Sequence, residues 1–222
     1  MSYTIADIPT KTLEHIRGGC VVPAMPLALT RDKELDERRQ RALIRYYRDA
    51  GAGGVAVAVH TTQFEIREPE FDLLEPVLSI CADEMQKGAG TPMARIAGIV
   101  GRTDQAKREA ELARQYNYHA GLLSLSAFAD ASVEDMVTHA AAIAEIIPIV
   151  GFYLQPAVGG RVLPAEFWRE FARIENVLAI KIAPFNRYRT IDVVRGVCEA
   201  GREGEISLYT GNDDNIVADL LT

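Results

Sequence analysis

Short apolar runs along the chain alternate with longer stretches in which apolar positions recur every three or four residues. A short run bounded by breakers reads as a buried strand, and the longer spacing reads as an amphipathic helix. Runs at 20–29, 55–59, 94–100, 120–125, 147–154, 177–182 and 205–209 predict seven strands, with Pro23 and Pro26 making the end of the first irregular. Between them the pattern predicts helices over 36–49, 70–85, 104–116, 132–146, 164–174 and 190–200, and another begins near Asp213. A polar leader precedes the first strand and carries one short helix or turn over 10–17. The punctuation agrees with this reading. Ser132 suits an N-cap, Pro164 suits a first helical turn, and Gly201 suits a helix stop. The segments 50–54 and 87–92 are glycine-rich and read as turns.

Regular alternation of strand and helix implies parallel strands with helices outside them. Two architectures compete. An open doubly wound sheet places a glycine-rich phosphate turn after its first strand. Here that position is Ala28-Leu29-Thr30-Arg31, and the later Gly98-Ile99-Val100-Gly101-Arg102 reads better as a strand running into a loop. A nucleotide-binding doubly wound sheet is therefore the weaker alternative. A (β/α)8 TIM barrel accounts for seven strands if the eighth is missing. Such barrels usually need about 250 residues. The chain has 222 and stops inside a helix. The expectation is an α/β fold, a (β/α)8 barrel truncated after strand 7, as one domain over 1–222.

Composition narrows the class further. A net charge of −7 argues against a nucleic-acid partner. Cys20, Cys81 and Cys198 are odd in number and far apart, which suits a reducing compartment and no disulfide framework. His15, His119 and His139 show no ligand spacing, so neither metal nor cofactor is expected. There is no apolar leader and no run of membrane-spanning length, which suggests a cytoplasmic protein without a membrane partner. The arginines over 38–48 read as a solvated helix face with intrahelical pairs.

The sixth strand carries the most informative residue. Lys181 lies in an apolar run, and lysine is seldom buried without a reason. One reading is a lysine that snorkels to water. The other is an amine whose burial lowers its pKa, leaving a nucleophile for carbonyl carbon. In a barrel, chemistry sits at the C-terminal ends of strands. Those ends here hold Thr61-Thr62, Tyr153-Leu154-Gln155-Pro156, Lys181 and Gly211-Asn212-Asp213-Asp214. Adjacent threonines can grip a carboxylate, a tyrosine can relay protons, and a lysine can capture a ketone.

These segments, together with Val22-Pro23-Ala24-Met25-Pro26-Leu27, Thr30 and Ala179-Ile180-Lys181, resemble the dihydrodipicolinate synthase and N-acetylneuraminate lyase family of class I aldolases. The resemblance runs from about Gly18 to the last residue. It implies a (β/α)8 barrel followed by further C-terminal helices, assembly as a homo-oligomer (dimer or tetramer), and a lysine Schiff base with pyruvate or a related 2-oxo acid. It maps Lys181 onto the Schiff-base lysine, Tyr153 onto the proton-relay tyrosine, and Thr61 and Thr62 onto the carboxylate-binding pair; the plainer readings are a strand-end tyrosine with its ring in the core and ordinary strand-end capping by the threonines. Gly211 and Asn212 then stand at the substrate rim, although Asn212 and Asp213 also read as loop and N-cap residues of the final helix. His60 stands where the family has a glycine and is either a substrate contact or a packed, hydrogen-bonded residue.

Three departures separate this chain from the synthases. Gln63 and Phe64 replace the Gly-Glu that follows the threonine pair. Ala127-Phe128-Ala129 replaces the Pro-Tyr-Tyr segment that lends a tyrosine across a subunit interface. Val158 stands at the synthase arginine, with Arg161 three residues later. The Schiff-base half of the site is retained and the half that reads the second substrate is rewritten. The expected activity is a lyase or aldolase, not the synthase reaction itself. The alternative is a barrel that binds a small ligand without turnover.

Overall fold

The computed structural model describes residues 3–87 and 92–221. From 88 to 91, the glycine-rich turn expected at 87–92 lies outside the described residues. The chain forms two compact units.

One unit comprises Ala6–Ile99 and Glu111–Leu122. It holds α1 (Thr10–Arg17), α2 (Glu37–Asp49), β1 (Gly54–Val57), α3 (Leu74–Gln86) and β2 (Ala94–Ile99); α4 (Thr103–Gln115) leads on to β3 (Ala120–Leu123). β1, β2 and β3 lie side by side in that order. β1 and β2 run parallel, with Gly54 opposite Ala94 and Val57 opposite Ala97. A Cβ at Gly54 would lie 2.6 Å from the Ala94 carbonyl oxygen, so only glycine lets the strands start this close. All of β1 and nearly all of β2 are buried on both faces, which explains why their sequences are continuous apolar runs.

The run at 20–29 is not a regular strand. It makes one parallel bridge, Ala24 to Ala56, with Met25 N–H donating to the Ala56 carbonyl at 2.8 Å and Ala56 N–H to the Pro23 carbonyl at 2.9 Å. Pro23 and Pro26 have no N–H to continue the ladder. The buried side chain of Gln40 on α2 holds this segment instead, accepting from Ala28 N–H at 2.9 Å and donating to the Pro26 carbonyl at 3.1 Å. The arginines of α2 make the expected intrahelical pairs, Arg39–Asp36 and Arg41–Glu37. Arg41 and Arg45 also reach α3, at Asp83 and at the buried Glu84. Burial pushes the Glu84 carboxyl upward, but the hydrogen bond from Arg45 and the charge of Lys87 outweigh it and hold the group below its usual range. The helix expected from 70 starts at Leu74, because Asp72 adopts a left-handed φ of 48° and its N–H is taken by Glu68.

The other unit comprises the segment up to Ile5, Val100–Ala110 and the chain from Leu123 onward. It contains α5 (Val133–Ala144), β4 (Ile149–Leu154), α6 (Ala165–Ala172), β5 (Val177–Ala183), α7 (Arg187–Glu199), β6 (Ser207–Thr210) and α8 (Ile216–Leu221). β4, β5 and β6 are adjacent and parallel. α5 opens on a capping box between Ser132 and Asp135. Pro164 is the residue before α6. Gly196 of α7 meets Trp168 of α6 so closely that a Cβ would fall 2.6 Å from Trp168 Cβ. The strand expected at 205–209 begins two residues later. Glu205 and Ile206 donate their N–H groups to the Arg202 carbonyl in a turn, which delays extension until Ser207. Asn176, just before β5, ties the N-terminal segment down: it accepts from Ile5 N–H at 2.9 Å and donates to Tyr3 and Ala144 carbonyls.

Candidate active site

β5 is buried along its length except at Lys181, which is half-buried. Register places Lys181 opposite Phe152 on β4 and opposite Tyr209 on β6. Partners in a parallel pair project to the same face, and the side-chain geometry agrees: Lys181 Nζ stands 4.8 Å from the centre of the Phe152 ring. The stem of Lys181 runs over Gly211, just past β6. A Cβ at 211 would lie 2.8 Å from Lys181 Cε and 3.0 Å from Ala183 Cβ. Burial lowers the pKa of Lys181, and the charge of Asp213 acts in the opposite direction without cancelling it.

Tyr153 projects to the other face of the same sheet. Side chains alternate along a strand, and Gly151, two residues earlier, faces Phe171 and Trp168 of α6. Tyr153 follows it there, fully buried, its ring 5.3 Å from that of Trp168. Its hydroxyl donates to the Leu163 carbonyl at 3.3 Å and accepts from the Leu163 N–H at 3.1 Å. Burial holds this phenol above its ordinary pKa.

The rim after β6 divides between two tasks. Gly211 lies beneath Lys181, whereas Asn212 is buried and serves the loop. Asn212 accepts from Phe185 N–H at 2.8 Å and donates to Asp219 of α8 at 2.7 Å. Arg161 donates to the carbonyls of Phe128 and Ala131 at 2.7 and 2.8 Å, which fixes the turn before α5.

In the other unit, His60, Thr61 and Thr62 form one short 3-10 turn just after β1. Thr62 is buried and donates its hydroxyl to the Met25 carbonyl at 2.7 Å. Thr61 and His60 are exposed, and the His60 ring rests edge-on against Phe64 at 5.8 Å. Ala58 and Gln63 on either side adopt positive φ values of 61° and 75°. A Cβ at Gly98 would lie 2.3 Å from the Ala58 carbonyl oxygen, so the turn depends on a glycine in β2. Among the described residues, no group of three histidine, cysteine or acidic side chains could hold a metal ion, and no helix is long and apolar enough to cross a membrane.

The family model of the dihydrodipicolinate synthetase family matches residues 18–222. The chain belongs to this family. None of the curated protein sequences matches it. Solved structures do. A monomeric dihydrodipicolinate synthase variant is 18% identical, with a TM-score of 0.79 over 93% of this chain and 67% of its own. The chloride-inhibited dihydrodipicolinate synthase from Acinetobacter baumannii, complexed with pyruvate, is 19% identical, with a TM-score of 0.79 over 91% and 66%. A prophage protein of the dihydrodipicolinic acid synthase family from E. coli K12, in complex with pyruvate, is 17% identical, with a TM-score of 0.75 over 90% and 66%. The chain therefore spans about two thirds of these structures. The likeness shows a (β/α) barrel fold, of which the described strands and helices form a part.

Within this dihydrodipicolinate synthetase family member, the sequence reading did not single out Phe152 or Tyr209. Both flank Lys181 only through strand register, and register is not written in either strand alone. The alternation of β4 was the available signal. It separates Phe152 from Tyr153 once either residue's face is known.

Proposed function

We propose that the protein is a lyase or aldolase that forms a Schiff base between Lys181 and pyruvate or a related 2-oxo acid. The observation that carries this reading is the placement of Lys181: a half-buried lysine on β5, lowered in pKa by burial, with Gly211 just past β6 leaving room for its stem. Family membership supports the class. The pyruvate complexes of similar proteins support the substrate. The neutral amine adds to the ketone carbon, water leaves, and the imine then draws electrons from the neighbouring carbon. This permits carbon–carbon cleavage, condensation or dehydration.

Within the unit that holds β1, Thr61 is exposed and is assigned to carboxylate binding, Thr62 holds the turn that presents it, and His60 is assigned a polar contact in that turn. Gly211 keeps the amine's path open. Tyr153 is assigned the seating of β4 on α6, because Leu163 engages its hydroxyl as donor and acceptor. Asn212 is assigned the loop rather than the substrate. Assembly as a homo-oligomer and residence in the cytoplasm belong to the same proposal. Light scattering of the purified protein tests the first.

Incubation with pyruvate and borohydride, followed by intact mass, tests the reading. A reduced adduct in the wild type that disappears in Lys181→Ala supports it. No adduct, or an equal adduct in Lys181→Ala, overturns it. The second reading, a ligand-binding barrel without turnover, is favoured by the engagement of both Tyr153 and Thr62 hydroxyls with backbone. Saturable binding of 2-oxo acids with neither trapping nor turnover would establish it instead.

A further inference from the structure

A lysine that forms and uses an imine needs a proton donor and acceptor on its own side of the sheet. Tyr153 stands on the other side, against Trp168. Tyr209 is a phenol on the lysine's side. Three observations place it there. Tyr209 is the register partner of Lys181 across the β5–β6 pair. Its neighbour Thr210 turns the opposite way, donating its hydroxyl to Asp219 of α8 at 2.8 Å. Gly211, which shares the parity of Tyr209, faces Lys181 Cε and Ala183 Cβ. Lysine and tyrosine thus project side by side from backbones about 4.8 Å apart, both half-buried. Phe152, the partner on the opposite flank, closes the other side of the amine with a ring that carries no proton.

We propose that Tyr209 is the proton-transfer residue for the imine chemistry of Lys181. This rests on the Schiff-base reading given above. The neutral amine adds to the ketone carbon of the 2-oxo acid, forming the carbon–nitrogen bond, and the amine proton passes to the former carbonyl oxygen to give a carbinolamine. The Tyr209 hydroxyl then protonates the carbinolamine oxygen. The carbon–oxygen bond breaks, water departs, and the nitrogen lone pair completes the iminium. The phenolate left behind removes a proton from the adjacent methyl carbon, whose electrons form the enamine as the iminium is neutralised. The phenol is restored, and the net change is amine plus ketone giving enamine plus water. No oxidant or further reactant is needed.

Exchange of the pyruvate methyl hydrogens in heavy water, followed by proton NMR, reads this cycle directly. Borohydride trapping runs in parallel on the wild type and on Lys181→Ala, Tyr209→Phe and Tyr153→Phe. A positioned general acid–base contributes about 10²- to 10⁴-fold. Tyr209→Phe is expected to slow methyl exchange by roughly a hundredfold or more while borohydride still finds Lys181, and Tyr153→Phe to change the rate per folded molecule by less than threefold. Exchange in Tyr209→Phe at the wild-type rate, with adduct present in the wild type, overturns the assignment of Tyr209 and leaves the Schiff base standing. No adduct in the wild type overturns both. Should Tyr209→Phe fail to fold, fluorotyrosine placed at 209 makes the same test without removing the hydroxyl. A changed exchange rate there, with none for fluorotyrosine at 153, supports the proposal, and an unchanged rate at 209 overturns it.

Discussion

The stem of Lys181 occupies the space that a side chain at Gly211 would fill, with the missing Cβ only 2.8 Å from Lys181 Cε. The backbone of Gly211 is itself fixed by its N–H bond to the Ile182 carbonyl at 2.7 Å. Gly211→Ala must therefore move the lysine rather than the loop. A lysine stem yields easily, so stability should fall by no more than about 1 kcal/mol, in the range of ordinary small substitutions. The amine, once displaced, should lose at least tenfold in the rate of pyruvate adduct formation, following the sensitivity of catalysis to misplacement. Thermal melting and borohydride trapping on one preparation separate the two effects.

Burial of Lys181 also predicts a dependence of stability on pH. Its folded pKa lies below the unfolded value, because burial disfavours the ammonium. Between the two values the unfolded chain binds more protons than the folded one, so this group makes stability rise with pH. Below the folded pKa both states are protonated, and the full cost of burying the charge applies. Lys181→Met removes that cost. Urea denaturation should give a higher midpoint than wild type at pH 7, and a gap that narrows toward pH 10. A gap that stays constant or widens would contradict the direction.

Phe152 adds a smaller opposing effect. A ring face 4.8 Å from Nζ favours the charged form, by about 0.5–1 kcal/mol at a partly exposed site. Phe152→Leu withdraws that support, lowers the pKa of Lys181 further and enriches the neutral amine. Adduct formation at pH 7 should rise about two- to fivefold, the factor that this energy corresponds to at 1.36 kcal/mol per tenfold. Stopped trapping over a pH series measures it, with the profile expected to move toward acid.

Asn212 predicts the reverse pattern from Gly211. Its side chain bonds Phe185 N–H and the Asp219 carboxylate from a buried position. Asn212→Ala leaves both groups short of a partner, at a cost of about 2–3 kcal/mol. The loss should appear in the denaturation midpoint. The rate of trapping per folded molecule should stay within about threefold of wild type, well short of the change expected for losing a proton-transfer group.

Much of the fold was legible because parallel strands are buried on both faces and so read as apolar runs. β5 and Lys181 within it were found this way, and the Ser132 cap and the start of α6 after Pro164 followed from local chemistry. The run at 20–29 had the right composition for a strand but the wrong hydrogen-bonding capacity, since two prolines leave a single bridge. Tyr153 illustrates a different limit. Its distance along the chain from Lys181 matched the family's pattern, yet the face it occupies depends on the register of β4 against β5, which shifts between Ile149 and Val150. A one-residue change of register exchanges the two faces of a strand. Asn212 was recognisable as a loop or cap residue at the start of the last helix, and Arg161 only as a polar residue beyond the Tyr153 segment. Their partners, Asp219, Phe185, Phe128 and Ala131, are brought to them only by the folded chain.

The chain has five lysines, Lys11, Lys33, Lys87, Lys107 and Lys181. Lys87 is driven upward in pKa by its hydrogen bond to Asp83, whereas burial lowers Lys181. Peptide mapping of the wild-type protein after reduction with pyruvate and borohydride therefore tests the account most directly. The account predicts one reduced adduct, on the peptide carrying Lys181. An adduct spread over the other four lysines, or none on Lys181, would contradict it.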